Sequence, residues 1–268
     1  MRFLVCFKVV GDLDSVTANE WASALMPDPD LSFTKRIYSP FDESALETAL
    51  RLRDAVREQG GDAHLTAMSL CRAGEDLDRF TTNLYATGYD EVHVLRHGAD
   101  LRFQPAASAG ILADAIMGLR GFDLILFGCQ AGVGDSRQIP IRVAYALGFP
   151  IIPLVHCIRY CDGMFTITSQ TDPGRKISIL APPFAVTMGN AEASYLRVAT
   201  LREKLAASGH AVMEQVVETH PSRQDPRLNS LHRPIDDRTP VLLQGDDACD
   251  LAHRLYTGWL LDRLEDRT

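Results

Sequence analysis

The residues best suited to chemistry lie in the segment GCQAGVGDSRQIPIRVAYALGFP, residues 128–150. Gly128, Gly132 and Gly134 make a pliant loop, Asp135 and Ser136 are helix-capping types, and a helical pattern runs from Gln138 to a stop at Gly148. Backbone N–H groups at such a helix start form an anion site that the helix dipole strengthens. Arg137 adds a side chain able to grip a phosphate with two parallel hydrogen bonds. The segment lacks the G-x-x-x-x-G-K-[ST] spacing, and Arg137 is not a P-loop lysine. On pattern alone, a nucleotide-binding loop and a purely structural loop both remain open.

A second stretch, YSPFDESALETALRL (38–52), reads as a helix entered at Ser39, a capping type, with Pro40 in the first position and Asp42 and Glu43 in the first turn. Ala45, Leu46, Ala49 and Leu50 follow at helical spacing. Phe41 is the anomaly, an apolar ring in a polar turn. It serves either as a staple for its own helix or as a contact for something flat. Other chemistries find little support. Of six cysteines only Cys157 and Cys161 are close, as C-x3-C beside His156, and the eight histidines form neither H-x3-H nor HExxH. The cysteines read as buried or half-buried free thiols, with no metal site expected. Ser136 has no evident histidine partner, and His156 lies beyond the next helix, so no catalytic residue is assigned.

The elements that must position these loops alternate along the first half of the chain. Apolar runs at 2–10, 63–70, 91–95 and 123–128 are separated by helical patterns at 41–58, roughly 74–86, and 105–119. Continuous apolar strands between helices predict a Rossmann-like, doubly wound, mostly parallel sheet covered on both faces. Ligands of such sheets sit beyond the carboxyl ends of the strands, at the loops around Gly11, Leu70–Gly74 and Gly128–Ile139. Past residue 150 the pattern predicts a β-hairpin at 164–180, a further strand in APPFAVTMG, and a helix in YLRVATLREKLAAS. A polar, proline-dotted arm follows, then an amphipathic helix with Leu251, Leu255, Trp259, Leu260 and Leu264 along one side. The expected organisation is a core of 1–190, a region of 191–219, and an extended C-terminal arm of 220–268 ending in a helix.

The 268 residues are 46% hydrophobic and 23% charged, with a net charge of -8. Mean hydropathy is -0.05 and the pI about 5.5. With no basic run, a general nucleic-acid or anionic-membrane binder is excluded. No apolar stretch approaches the ~20 residues of a membrane span, and MRFLVCFKVV is too short and too soon interrupted for a signal peptide, so a cytoplasmic location is expected.

Five segments, in order, and a C-terminal stretch resemble the β subunit of electron-transfer flavoproteins over nearly the whole chain. FKVV (7–10) matches the end of its first strand, and SPFDESALETAL (39–50) its N-P-F-D-E-x-A-L-E-x-A-L helix. ATGYDEVHVL (86–95) and GCQAGVGDSRQI (128–139) match two further motifs. Asp172 and Gly174 with PFAVT (183–187) match its hairpin signature, and RTPVLLQGDDACDLAHRL echoes its tail.

The resemblance implies a non-catalytic subunit that pairs with a larger α subunit and relays electrons from a flavin dehydrogenase to a downstream acceptor. FAD would sit mainly on the α subunit and AMP in the β subunit. In bifurcating members a second FAD takes the AMP pocket. By position, the β pocket would be lined by Cys6, Ser39, Leu70, Ala131, Gly134, Asp135, Ser136, Arg137, Gln138 and Ile139. Phe41 and Leu13 would lie near the FAD of the α subunit. The dehydrogenase-docking loop would be NAEASYLRVATL (190–201), with Tyr195 and Val198 as its contacts.

Departures from the family pattern bear on this reading. Ser39 replaces a usual Asn, Val133 a usual Asp, Pro173 a Gly, and Ser169 a basic residue. The docking loop has lost both prolines. Arg137 either holds the AMP phosphate or crowds a dinucleotide, so AMP, a second FAD and an empty pocket all stay open. Two rival classes are a stand-alone adenine-nucleotide enzyme and an interaction-only subunit with a decayed site.

Overall fold

Successive residues of the central strands point to opposite faces of one sheet, and both sets are buried. Phe3, Val5, Leu124, Leu126, Phe184 and Val186 belong to one core cluster, whereas Leu4, Cys6, Ile125, Phe127 and Ala185 belong to another. A sheet buried on both faces needs helices on both, and the computed structural model of the chain has them. It describes residues 1–17, 33–119, 121–132, 137–171, 174–218, 241–261 and 264.

Strand β1 (Arg2–Cys6) leads through a short antiparallel pair, β2 (Val9–Gly11) and β3 (Arg36–Tyr38), into helix α1 (Pro40–Glu58). Then come β4 (His64–Arg72), α2 (Asp78–Thr87), β5 (Glu91–His97), α3 (Pro105–Leu119), β6 (Leu124–Gly128) and α4 (Ile139–Leu147). The second half contributes β7 (Ile151–Cys161), β8 (Met164–Gln170), β9 (Arg175–Leu180), β10 (Phe184–Met188), α5 (Leu201–Ala207) and β11 (Met213–Val217). The nine-stranded sheet runs β11-β5-β4-β1-β6-β10-β7-β8-β9. It is parallel from β11 through β7, with β8 antiparallel to both its neighbours. Helices α1 and α2 cover the first cluster, α3 and α4 the second. The chain moves from β1 out to β5 and then returns to the other side of β1, so the switch point lies between β1 and β6.

The Rossmann-like, doubly wound sheet expected from the sequence is therefore present, with local differences. The apolar run 2–10 is two strands, because the chain breaks at Phe7–Lys8, where the Lys8 carbonyl accepts from Ser39 N–H at 2.8 Å. Helix α2 begins at Asp78 rather than near 74. Gly74 has a φ of +86°, and Asp76 Oδ1 accepts from Asp78 N–H at 2.9 Å, an Asx turn that delays the helix. Strands β7 and β11 extend the sheet beyond the runs identified above.

The helix expected across 195–208 is confined to α5. Thr200 and Glu203 form a reciprocal capping box that starts it there, while Arg197 is drawn away in extended chain. Its guanidinium donates to both oxygens of buried Glu47 on α1, at 3.1 and 3.0 Å, and to Asp54 at 2.9 Å; its backbone N–H also donates to Glu47, at 3.0 Å. Leu196 and Ala199 are buried beside it, leaving Tyr195, Val198 and Leu201 outside.

The chain divides into two compact units, 1–230 and 231–268. The second contains α6 (Ala248–Leu255), capped by Asp247, which accepts from Cys249 and Asp250 N–H at 2.8 Å. The helix continues through a π-helical turn, Tyr256–Leu260, and Leu255, Tyr256, Trp259 and Leu260 are exposed.

Replacing Glu47 leaves Arg197 with only Asp54. Glu47→Ala should lower stability by about 2 kcal/mol, read from the urea midpoint, and should raise proteolytic cleavage within 190–200.

Candidate functional site

A cavity of about 190 Å³ opens beyond the carboxyl ends of the strands, at the switch point between β1 and β6. Its walls come from the segment after β1 (Phe7, Lys8), the end of β4 (Leu70, Cys71, Arg72), the end of β6 (Phe127 to Ala131) and the start of α4 (Ile139, Pro140). Leu112 and Met68 supply apolar surface. Arg102 also lines it and pairs with Asp100 at 2.7 Å. The Lys8 ammonium and the Arg72 guanidinium face the cavity with no hydrogen bond or salt bridge to the described residues. Both cations are available to an anion in a chain whose net charge is -8.

Of the residues the sequence placed here, Cys6, Leu70, Ala131 and Ile139 line the cavity. Gly134, Asp135 and Ser136 lie outside the described residues. Ser39, Arg137 and Gln138 are not among the residues that line the cavity. Ser39 does not cap α1 with its side chain; its hydroxyl points to the Gln130 carbonyl at 3.4 Å. Arg137 adopts a φ of 57° and donates to the side-chain oxygen of Gln130, which itself lines the cavity. The Gln138 side-chain oxygen accepts from Arg142, at 3.1 and 2.9 Å. Among the described residues, none of the loop at Gly11 lines the cavity, whose β1 side is built by Phe7 and Lys8. Burial, and secondarily the Asp42 carboxylate, push the Cys6 thiol well above its ordinary range, so it is not a thiolate nucleophile.

The residue that organises the site is Asp42. Its Oδ2 accepts from Lys8 N–H and its Oδ1 from Gly128 N–H, both at 2.9 Å. One carboxylate thus bridges the ends of the two strands that flank the switch point. The approach is close: a Cβ on Gly128 would stand 2.3 Å from Asp42 Oδ1, 2.7 Å from its backbone N and 2.9 Å from the Phe41 carbonyl carbon. Burial raises the Asp42 pKa to about 7, outweighing the opposing pull of the Gly128 and Lys8 amides, the Lys8 charge and Ser39. In the sequence Asp42 and Lys8 belonged to the SPFDESALETAL and FKVV segments and Arg72 to the Leu70–Gly74 loop, but none of the three was named as a site residue.

Phe41 is half-buried at the start of α1, outside both core clusters. Leu13 lies in a short 3₁₀ turn, Leu13–Ser15, and its Cδ1 would meet a Cβ on Gly132 at 3.0 Å. The entrance to α1 is fixed from below by Tyr38, whose ring packs edge-on against Phe7 and Phe80 and whose hydroxyl donates to the Phe80 carbonyl at 2.7 Å. Tyr195 and Val198, at 79% and 89% exposure, sit together on the segment held by Arg197, away from the cavity walls.

Two outcomes follow from the Asp42 contact. Gly128→Ala should cost about 2–3 kcal/mol, because the new methyl meets backbone that cannot yield. Gly118→Ala in α3, where nothing lies within 4 Å, should instead be neutral or stabilising by up to about 1 kcal/mol. Because the Asp42 pKa is raised from 3.8 to about 7, the native state binds more protons than the unfolded chain between those values. Its contribution is full below about pH 4 and is lost as pH rises to about 7. Urea midpoints measured across that window should fall with pH, and Asp42→Asn should flatten the slope.

Comparison with known proteins places this architecture. The electron transfer flavoprotein domain matches residues 33–192, more than half of the chain. The chain is 26% identical over 268 residues to the provisionally named electron transfer flavoprotein subunit YgcR of Escherichia coli (strain K12), covering 99% of this chain and 100% of that protein. It is 29% identical over 195 residues to an electron transfer flavoprotein subunit beta of Megasphaera elsdenii, covering 70% and 68%. It is 28% identical over 187 residues to the caffeyl-CoA reductase-Etf complex subunit CarD of Acetobacterium woodii, covering 70% and 68%. A doubly wound sheet with its cavity at the switch point, a family match over more than half of the chain that takes in the cavity segments from β4 to α4, and relatives of the β type together make this chain a member of the electron transfer flavoprotein family, a β-type subunit for electron transfer.

Proposed function

We propose that the chain acts as half of a heterodimer, pairing with an α subunit that holds most of an FAD and relaying electrons from a flavin dehydrogenase to a downstream acceptor. AMP occupies the cavity and does no chemistry. The observation that supports this reading is the cavity itself, whose lining suits an anion with an apolar body. Lys8 and Arg72 offer charge to a phosphate, while Met68, Leu70 and Leu112 offer a surface for a base. The Gly128–Ala131 backbone brings further polar groups to the rim. By the family resemblance alone, we assign Gly134, Asp135, Ser136, Arg137 and Gln138 to the phosphate end, with Ser39 supporting the loop through Gln130.

FAD supplies the one-electron chemistry; this chain contributes shape and contacts. Phe41 and Leu13 form the wall that meets the flavin of the α subunit, where an aromatic face sets the polarity around the ring. Residues 191–219 present the docking surface, with Tyr195 and Val198 as contacts for the dehydrogenase. Residues 220–268 form an arm on the α subunit, and the exposed Leu255, Tyr256, Trp259 and Leu260 give it an apolar side to bury. The protein works in the cytoplasm, and among the described residues no helix is long and apolar enough to cross a membrane.

The test is to co-express the chain with its α-type partner, release the bound nucleotides and count them by mass spectrometry. One FAD and one AMP per heterodimer is expected. Two FAD would put a dinucleotide in the cavity, one FAD without AMP would make this an interaction-only subunit, and absence of flavin would overturn the reading.

A further inference from the structure

The loop Gly128–Gly132 is a shared wall. On one side Gly128, Gln130 and Ala131 line the cavity. On the other, Gly128 abuts the Phe41–Asp42 backbone so closely that a Cβ has no room, and a Cβ on Gly132 would press on the end of the Leu13 side chain at 3.0 Å. Close-packed contacts of this kind transmit displacement instead of absorbing it. The Asp42 carboxylate then ties this loop to the Lys8 amide across the switch point, at 2.9 Å on each side. A ligand pressing on Gly128 or Lys8 therefore acts on the turn that carries Phe41. Nothing else among the described hydrogen bonds joins the two strand ends to that turn through a side chain that itself faces the cavity.

We propose that Asp42 is a positioning residue that couples the ligand in the cavity to the Phe41–Leu13 wall, so that filling the cavity changes the reduction potential of the flavin held against that wall. This rests on the functional reading above, in which AMP fills the cavity and Phe41 and Leu13 meet the flavin. The nucleotide then has a role in electron transfer besides assembly, exerted through the first turn of α1. Coupling between two sites is reciprocal. If AMP shifts the potential, the redox state of the flavin must shift the affinity for AMP by the matching factor.

The experiment uses the flavin-loaded heterodimer, stripped of cavity nucleotide, and measures AMP binding by calorimetry in the oxidised and the dithionite-reduced states. The wild-type Kd should differ between the two states by about fivefold or more. In Asp42→Asn the two values should converge to within about twofold, whatever the variant does to overall affinity. Leu13→Ala, which removes the second contact of the loop without touching the Asp42 clamp, should reduce the ratio partway and serves if Asp42→Asn does not assemble. Loss of stability alone does not move a ratio of affinities measured on the folded complex. Equal wild-type Kd values in the two states would overturn the coupling while leaving AMP in its cavity. An undiminished ratio in both variants would remove Asp42 and the loop from the route. Failure of AMP to bind in either state would overturn the cavity reading, and the coupling with it.

Discussion

The constraint on which the site depends is the absence of a side chain at Gly128. Only a hydrogen there lets the end of β6 settle against the first turn of α1, at distances where a methyl group would overlap Asp42 and the Phe41 carbonyl carbon. Once that approach is made, one carboxylate spans the gap between two parallel strands and receives an amide from each. A parallel pair leaves N–H groups unpaired at its carboxyl end, and buried donors need partners. Asp42 supplies them from a helix start, where the dipole also favours negative charge. The enclosure that satisfies the amides keeps the carboxylate short of water, and its proton affinity rises accordingly.

Around this point the molecule sorts its polar ties from its apolar mass. The central strands of the sheet are sealed by aliphatic and aromatic side chains on both faces, leaving directional control to a few long-range polar contacts. Tyr38 fixes the approach to α1 through Phe80, and Glu47 fixes the segment near residue 197 through a two-pronged pair with Arg197. Both orient chain segments at the rim of the sheet, where burial alone would allow several arrangements. The positive groups at the cavity differ from Arg102 and Arg36, which pair with Asp100 and Glu75, in that the Lys8 and Arg72 side chains form no salt bridge with any described residue.

Much of the fold was legible because it rests on local pattern. Predominantly apolar runs at β4, β5 and β6 separated by helical spacing specify a doubly covered parallel sheet, and the helix at Pro40–Glu58 could be bounded from its proline and acidic first turn. What escaped depends on partners distant in the chain. Arg197 is held by Glu47, 150 residues away, so a stretch rich in helix formers stays extended until Thr200 caps the next turn. Asp42 binds amides 34 and 86 residues distant, and from sequence it is indistinguishable from an ordinary first-turn acid. Strand β11 is exposed along most of its length and so lacks the alternation that marks a half-buried strand. Cavity residues were legible where a strand end delivers them, as with Cys6 and Leu70, or a helix start, as with Ile139, and less so where a side chain turns elsewhere, as with Ser39 and Gln138.

The extended segment around Arg197 has an evolutionary consequence. Its backbone course is set by inward-facing residues, Leu196 and Ala199, and by the Arg197 pair, none of which projects outward. Tyr195, Val198, Leu201 and Leu205 stand exposed with no structural duty. Those four positions are free to drift without penalty to the scaffold, so lineages sharing this core can acquire different partners by exchanging surface side chains alone. Divergence at these positions beside a constant Glu47 and Arg197 would be the mark of such a history.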